Sequence, residues 1–276
     1  MSVNLDLQKV NEWDILRGFS NLVRKENRAW WSTPRWWINA LLWTVLLCGL
    51  TGIMLFGPNE ELQEASAAEI AQAGGEMAYI LSVGLGVFFE FGVPVLAIGT
   101  IILTQDLILG EKQSGVAEWL LSKPVTRRAY ILAKLAANVF PILILMIGLP
   151  AIGTYGLVSY RVGGLFPIAP YLAAIGIMIL HTLFYLTLTV MLGTIFNNRG
   201  PILGIALGSV LGGGMLGGLI KPLLYITPWM LAKLTALTAS GKAIPVEIGL
   251  APLIATALWC VLFVLIAFIR FEKMDF

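Results

Sequence analysis

Hydrophobic residues along this chain fall into six long runs separated by short polar segments. The runs cover residues 37–56, 79–103, 130–158, 170–196, 201–220 and 248–269. Each supplies the ~20 largely apolar residues that a helix needs to cross the hydrocarbon core of a bilayer. The pattern predicts an all-α polytopic membrane protein with six transmembrane helices in a single domain spanning residues 1–276. Ahead of the first run the pattern changes. Trp13, Leu16, Phe19 and Val23 recur at helical spacing, with Arg17, Arg24, Lys25 and Arg28 on other faces. Trp30, Trp31, Trp36 and Trp37 then crowd a region where indole rings favour the lipid headgroups. This predicts an interfacial elbow helix over residues 11–35, ending near Pro34.

Composition supports the membrane reading. The chain is 58% hydrophobic and 12% charged, with a mean hydropathy of +0.85. Soluble domains carry about 25% charged residues. The placement of the basic residues gives an orientation. Fourteen of the 18 Lys and Arg lie in the N-terminal segment, the segment around 110–138, the turn at 197–200 and the C-terminal segment. The remaining connections hold only Arg161, Lys221, Lys233 and Lys242. The positive-inside bias puts both termini and residues 110–138 in the cytoplasm. The first run is too long for a signal-peptide core and comes after more than 35 residues, so no cleavage is expected. Cys48 and Cys260 fall within runs and read as small apolar fillers; without a CxxC or Cys/His cluster, no structural metal is expected.

On the outer side, residues 57–78 contain five Glu and no Lys or Arg, and predict a short exposed helix with a glycine stop. Residues 221–247 combine prolines with an amphipathic run, which predicts short helices dipping into the outer leaflet under cover of other protein. In the fifth run, Gly204, Gly208 and Gly212 form a GxxxGxxxG ridge, with Gly213 and Gly217 on a neighbouring face. Small residues at this spacing admit a second backbone, either from the same subunit or from another.

Candidate chemistry is sparse. No GxxxxGK[ST] phosphate loop occurs, so no ATP hydrolysis of that type is expected in this chain. Ser209 and His181 both lie within runs, but a serine protease needs a strained nucleophile beside a base, and Ser209 stands in an unbroken glycine ridge that packing explains. Glu90 interrupts VFFEFGVPV in the middle of the second run, where an ionised carboxylate is costly. His181 in the fourth run lies at a matching depth, ~16 Å from the outer end at a rise of ~1.5 Å per residue. A Glu90–His181 pair is one arrangement. A hydrogen-bonded Glu90 and a separately satisfied His181 are the other.

The segment GEKQSGVAEWLLSKPVTRRAYILAKLAAN, residues 110–138, is dense in charge between two apolar runs. Val116, Trp119 and Leu120 predict a short amphipathic helix, broken at Ser122-Lys123-Pro124. Thr126 is a good N-cap for a helix that places Arg127, Arg128 and Lys134 near the membrane surface. Such a short helix can lie on lipid or dock into a groove of a soluble partner.

These residues resemble the cytoplasmic signature of ABC transporter type-2 permeases: Glu-x-x-x-Gly-Thr, then Leu-Leu-Ser-x-Pro-Val-Ser-Arg, then Lys. Glu111, Gly115, Leu120, Leu121, Ser122, Pro124, Val125, Arg127 and Lys134 are in place; Val116 stands for the usual Thr and Thr126 for Ser. LVRKENRAWWSTPRWW resembles the family's N-terminal elbow, and IRFEKMDF its closing arginine-acidic tail. The resemblance implies the type-2 ABC exporter fold: an elbow helix, six spans, a cytoplasmic coupling helix and short outer-leaflet helices before the last span. It also implies a permease of the inner (plasma) membrane with no cofactor of its own. ATP and Mg would sit on two copies of a separate ABC ATPase subunit. A second permease subunit, identical or related, completes the pathway, and no nucleic acid is involved. The coupling segment would be residues 111–122, with Glu111, Gly115, Val116, Glu118, Trp119, Leu120 and Leu121 at the ATPase, and Val116, Trp119 and Leu120 as the docked face. Glu90 and His181 become candidates for the pathway or for intramembrane polar contacts, and Gly204, Gly208 and Gly212 for the subunit interface. The other reading is a non-transporting membrane anchor of an ATPase-containing assembly or maturation complex.

Overall fold

A computed structural model describes residues 16–58, 66–242 and 249–274, without the side chains of residues 214, 215 and 218. No strand occurs among the described residues. Helix α1 covers Phe19–Trp31. Among the described residues of the expected elbow, 11–35, the helix begins at Phe19, and Gly18 just ahead of it adopts φ 85°. Residues 11–15, including Trp13, lie outside the described residues. The α1 helix lays Leu22 and Trp30 against the third apolar segment, and the chain then turns at Ser32–Thr33 into α2, Arg35–Phe56. Pro34 sits just ahead of α2, where a missing N–H costs nothing.

Five helical segments are long and apolar enough to cross a bilayer: Arg35–Phe56, Glu76–Gln113, Arg127–Val162, Ile168–Ile195 and Ala251–Glu272. Two of them contain a widened, π-type turn. The second segment runs from α4 (Glu76–Gly86) through the wide turn Val87–Phe91 to α5 (Gly92–Thr104) and, after a bend, α6 (Leu109–Gln113). The short helix α7 (Val116–Leu121) comes next. The third segment runs from α8 (Arg127–Pro141) through the wide turn Ile142–Gly148 to α9 (Leu149–Val162). A proline explains each. Pro94 lies four residues after Glu90 and Pro150 four after Met146. A proline lacks the N–H that residue would receive, and its ring collides with that carbonyl; a wider turn relieves both defects.

Helix α10, Ile168–Ile195, is the axis of the bundle and packs against α5, α13 (Leu231–Ala239) and α14 (Ala251–Glu272). Its buried Thr182, Thr187 and Thr189 hydroxyls donate to carbonyls one turn back, so their burial leaves no donor stranded. Helix α11, Arg199–Leu219, occupies the fifth apolar run. The expected outer-side helices are present as α3 (Ala67–Ala73), with a Ser66/Glu69 capping box and a glycine stop at Gly74, and as α12 (Lys221–Ile226) and α13. Leu231 and Leu234 of α13 bury against Ile177 of α10. The indoles of Trp229 and Trp259 donate to the Ser209 and Ile226 carbonyls at 2.8 and 2.7 Å, covering the irregular backbone between α12 and α13.

The Trp43 ring of α2 reaches across to Gly99 of α5; a Cβ at Gly99 would overlap that ring. The indole is held in turn by Asn39, which accepts its N–H at 3.1 Å while donating to the Arg35 carbonyl. A Gly99→Val substitution is expected to destabilise the bundle by about 1–3 kcal/mol, the usual cost of overpacking. Thermal unfolding in mild detergent should register a lower midpoint; an unchanged midpoint would show that Trp43 moves aside freely.

Candidate functional site

The four basic segments converge at one end of the bundle, and the charged segment between the second and third spans ties them together. At its centre Glu111 accepts three contacts: Lys134 Nζ at 2.8 Å, Lys25 Nζ at 2.6 Å and the Tyr130 hydroxyl at 2.6 Å. Lys134 also donates to Glu26 at 2.8 Å, and Lys25 lies 3.3 Å from Glu26. Two cations and two carboxylates thus neutralise one another. The Lys134 side chain is only 4% exposed, so it depends on these partners. For Lys25, burial lowers the pKa, but the hydrogen bond and charge of Glu111 outweigh it and hold the ammonium above its ordinary value. Nearby, the Trp30 indole donates to Asn138 at 2.8 Å and completes the seam between α1 and α8.

The same segment caps its other neighbours. Thr126 is the N-cap of α8, accepting the Ala129 N–H at 3.2 Å as predicted from the sequence, and its own N–H donates to the Arg17 carbonyl. Arg127 donates to the carbonyls of Phe271, Glu272 and Met274 at 2.7–2.9 Å, satisfying the open end of α14 with positive charge where a helix favours it. Tyr130 stacks on Phe271 with ring centres 4.9 Å apart. Lys112 donates to the Gly193 and Phe196 carbonyls at the end of α10, and Arg199 forms a two-pronged pair with Asp106.

This geometry bears on the expected docked face. The segment over 111–122 is not one helix. Gly115 takes φ 72°, a left-handed turn that side chains resist, and so separates α6 from α7. Ala117 and Leu120 turn inward, with Leu120 7% exposed, and Val116 and Leu121 are half-buried. Glu111 belongs to the internal ion cluster. What projects outward is Glu118 and Trp119, the latter 58% exposed, with the Lys123 ammonium 3.4 Å above its ring. By spacing Val116, Trp119 and Leu120 share one face, and within it Leu120 packs into this chain's own core while Trp119 stays outside.

The intramembrane polar residues do not come together. Glu90 sits in the wide turn Val87–Phe91 and is exposed, with no hydrogen bond or ion pair to any described residue. His181 is 4% exposed, packs its ring 5.0 Å from that of Tyr185, and leaves Nδ1 without a partner. Matching depth did not bring them together, because one faces out of the bundle and the other into it.

The glycines of α11 divide by face. A Cβ at Gly204 or Gly208 would meet open space, and one at Gly212 only the Leu216 side chain of its own helix. Gly213 is instead covered by the Trp229 ring and Gly217 by Leu224. Ala206 and Ile202, fully buried, mark the inward side. Among the described residues no group of His, Cys, Asp and Glu is arranged to hold a metal ion.

Apolar spanning helices, joined at one end by a polar, ion-paired junction, define a multi-pass membrane protein. The chain belongs to the ABC-2 family of transporter proteins, whose family model matches residues 20–276. It is therefore the membrane component of an ABC transporter, of the permease class. No curated protein matches this sequence.

The ion cluster makes a testable statement. Lys134→Met leaves Glu26 and Glu111 buried with one cation fewer, and is expected to cost about 3–5 kcal/mol. Lys25→Met, at a side chain 43% exposed, should cost about 1 kcal/mol or less. Limited proteolysis between α1 and α2 reads the difference: early cleavage in the Lys25 variant and protection in the Lys134 variant would reverse this assignment.

Proposed function

We propose that this chain is the permease subunit of an ABC exporter, with ATP and Mg handled by two copies of a separate ATPase, and that residues 111–122 transmit the ATPase's movement. One observation carries the reading. The segment is tied directly to α1, α8 and α10, yet leaves Glu118 and Trp119 outside, with Lys123 over the Trp119 ring. A partner pressing on Trp119 would push on three helices at once. The proposed docked face is thus more polar than the sequence pattern implied, with Trp119 as its one large apolar contact.

In this reading α11 is the fifth of six spans, α1 is the elbow lying in the headgroup layer, and both termini are cytoplasmic in the inner (plasma) membrane. The convergence of the basic segments at one end of the bundle supports that orientation. A second permease subunit, identical or related, meets this one along Gly204 and Gly208, whose open faces let a backbone approach. Glu90 is assigned to the pathway and His181 to the buried packing around Tyr185.

Single substitutions distinguish the outward face of α7 from its inward one. Trp119→Ala should weaken capture of the ATPase by about 2 kcal/mol or more, roughly thirtyfold, as for a central aromatic anchor. Leu120→Ala should instead lower the permease's own stability by about 2–5 kcal/mol. Pull-down and thermal melting on the same preparations separate them; normal ATPase capture by Trp119→Ala would move the coupling site elsewhere. At the other surface, Gly208→Ile should reduce dimer recovery in mild detergent, while Ile152→Phe, at a 74% exposed position of α9, should not. Equal recovery for the two would take α11 out of the interface.

A further inference from the structure

Glu90 lies on the wall of an open groove of about 510 Å³ between α2 and the second span. That volume is within the range of small-molecule sites. The rest of the wall is apolar or weakly polar: Leu50 and Met54 from α2, Ser82 one turn before Gly86, and Phe91 beside the carboxylate. Gly86 faces a hollow in this groove: a Cβ there would meet nothing within 4 Å. Ser82, Gly86 and Glu90 are four residues apart, which puts them on one helix face through α4. The wide turn at Val87–Phe91 then presents Glu90 and exposed Phe91 together, 46% exposed in the case of Phe91.

A carboxylate at mid-span is stabilised by a counter-charge, and none of the described residues is paired with this one. Glu90 has no partner among the described residues, and His181 faces inward. The runs 37–56, 79–103, 170–196, 201–220 and 248–269 contain no Lys or Arg, and Lys134 is committed to Glu26 and Glu111. Lys233 lies on α13, which packs against the wide turn, but it forms no ion pair with Glu90. A ligand can supply the missing charge. We infer that the groove binds a lipophilic cation, a quaternary or protonated amine or a phosphonium on a bulky apolar body. Its charge would lie against the Glu90 carboxylate and the Phe91 ring, a pairing suited to weakly hydrated cations, and its apolar body against Leu50, Met54 and the Gly86 hollow. The inference rests on the permease reading only in taking the groove as part of the pathway.

The test uses the full-length permease with its ATPase in lipid nanodiscs, and tetraphenylphosphonium as the probe, with empty nanodiscs subtracted for partition into lipid. Saturable binding is expected, and the near-isosteric anion tetraphenylborate should show none. Glu90→Gln should weaken phosphonium binding about tenfold or more, the scale of losing one charged contact. Gly86→Leu, which fills the hollow and keeps the carboxylate, should weaken it as well. Gel filtration and ATPase capture on each variant verify the fold. Absence of saturable phosphonium binding by the parent, or equal binding by parent and Glu90→Gln, overturns the inference while intact ATPase capture leaves the permease reading standing. Loss of ATPase capture by the parent strikes the permease reading and not the groove.

Discussion

A lysine shut away from water must be matched charge for charge, and Lys134 sets that condition for the whole basic end of this protein. Its ammonium, 4% exposed, is shared by Glu26 and Glu111, and Lys25 balances the second carboxylate. The four groups come from α1, α6 and α8, so none of these helices can shift without uncovering a charge. The remaining ties are placed around this cluster. Arg127 closes the end of α14, Lys112 the end of α10, and Arg199 pairs with Asp106 at the start of α11. Helix ends carry unsatisfied carbonyls in any case, and a basic segment threaded among them satisfies these acceptors while fixing its own position.

The polar and aromatic residues of the charged segment therefore divide into two classes. Glu111, Thr126, Arg127 and Lys134 act inside the subunit and set the shape of the junction. Glu118, Trp119 and Lys123 remain outside, and only Trp119 is large and apolar enough to anchor a partner. A motif of this kind can be shared widely among permeases while partner choice rests on a few outward side chains within it.

Five of the six apolar runs lie in helices long and apolar enough to cross a bilayer, and these were legible because hydrophobic run length maps onto bilayer thickness. So were the Thr126 cap and the glycine stop of the short helix after the first span, since these arise from local chemistry. Rotation about a helix axis was less legible. Val116, Trp119 and Leu120 share a face by spacing, but the sequence does not say whether that face meets a partner or the chain's own core, and the structure turns Leu120 inward. Glu90 and His181 agree in depth, yet a wide turn adds a residue to the second span and redirects the side chains beyond it, which no 3.6-residue count anticipates. The Glu111–Lys134 pairing spans two helices and a bend, with its other cation and carboxylate in α1, so local periodicity carries no trace of it.

The two wide turns have a mechanical meaning when taken together. Val87–Phe91 and Ile142–Gly148 interrupt the two spans that flank the charged segment, and both pack against α2. On the basic side of these turns, α5 through α8 form one block locked by ion pairs; on the other side, α4 and α9 pack on each other. A pair of weak points resting on a common strut defines an axle. Force applied at Trp119 would therefore swing the block about that axle, and the carboxylate of Glu90, mounted on the axle itself, would change its aim more than its position.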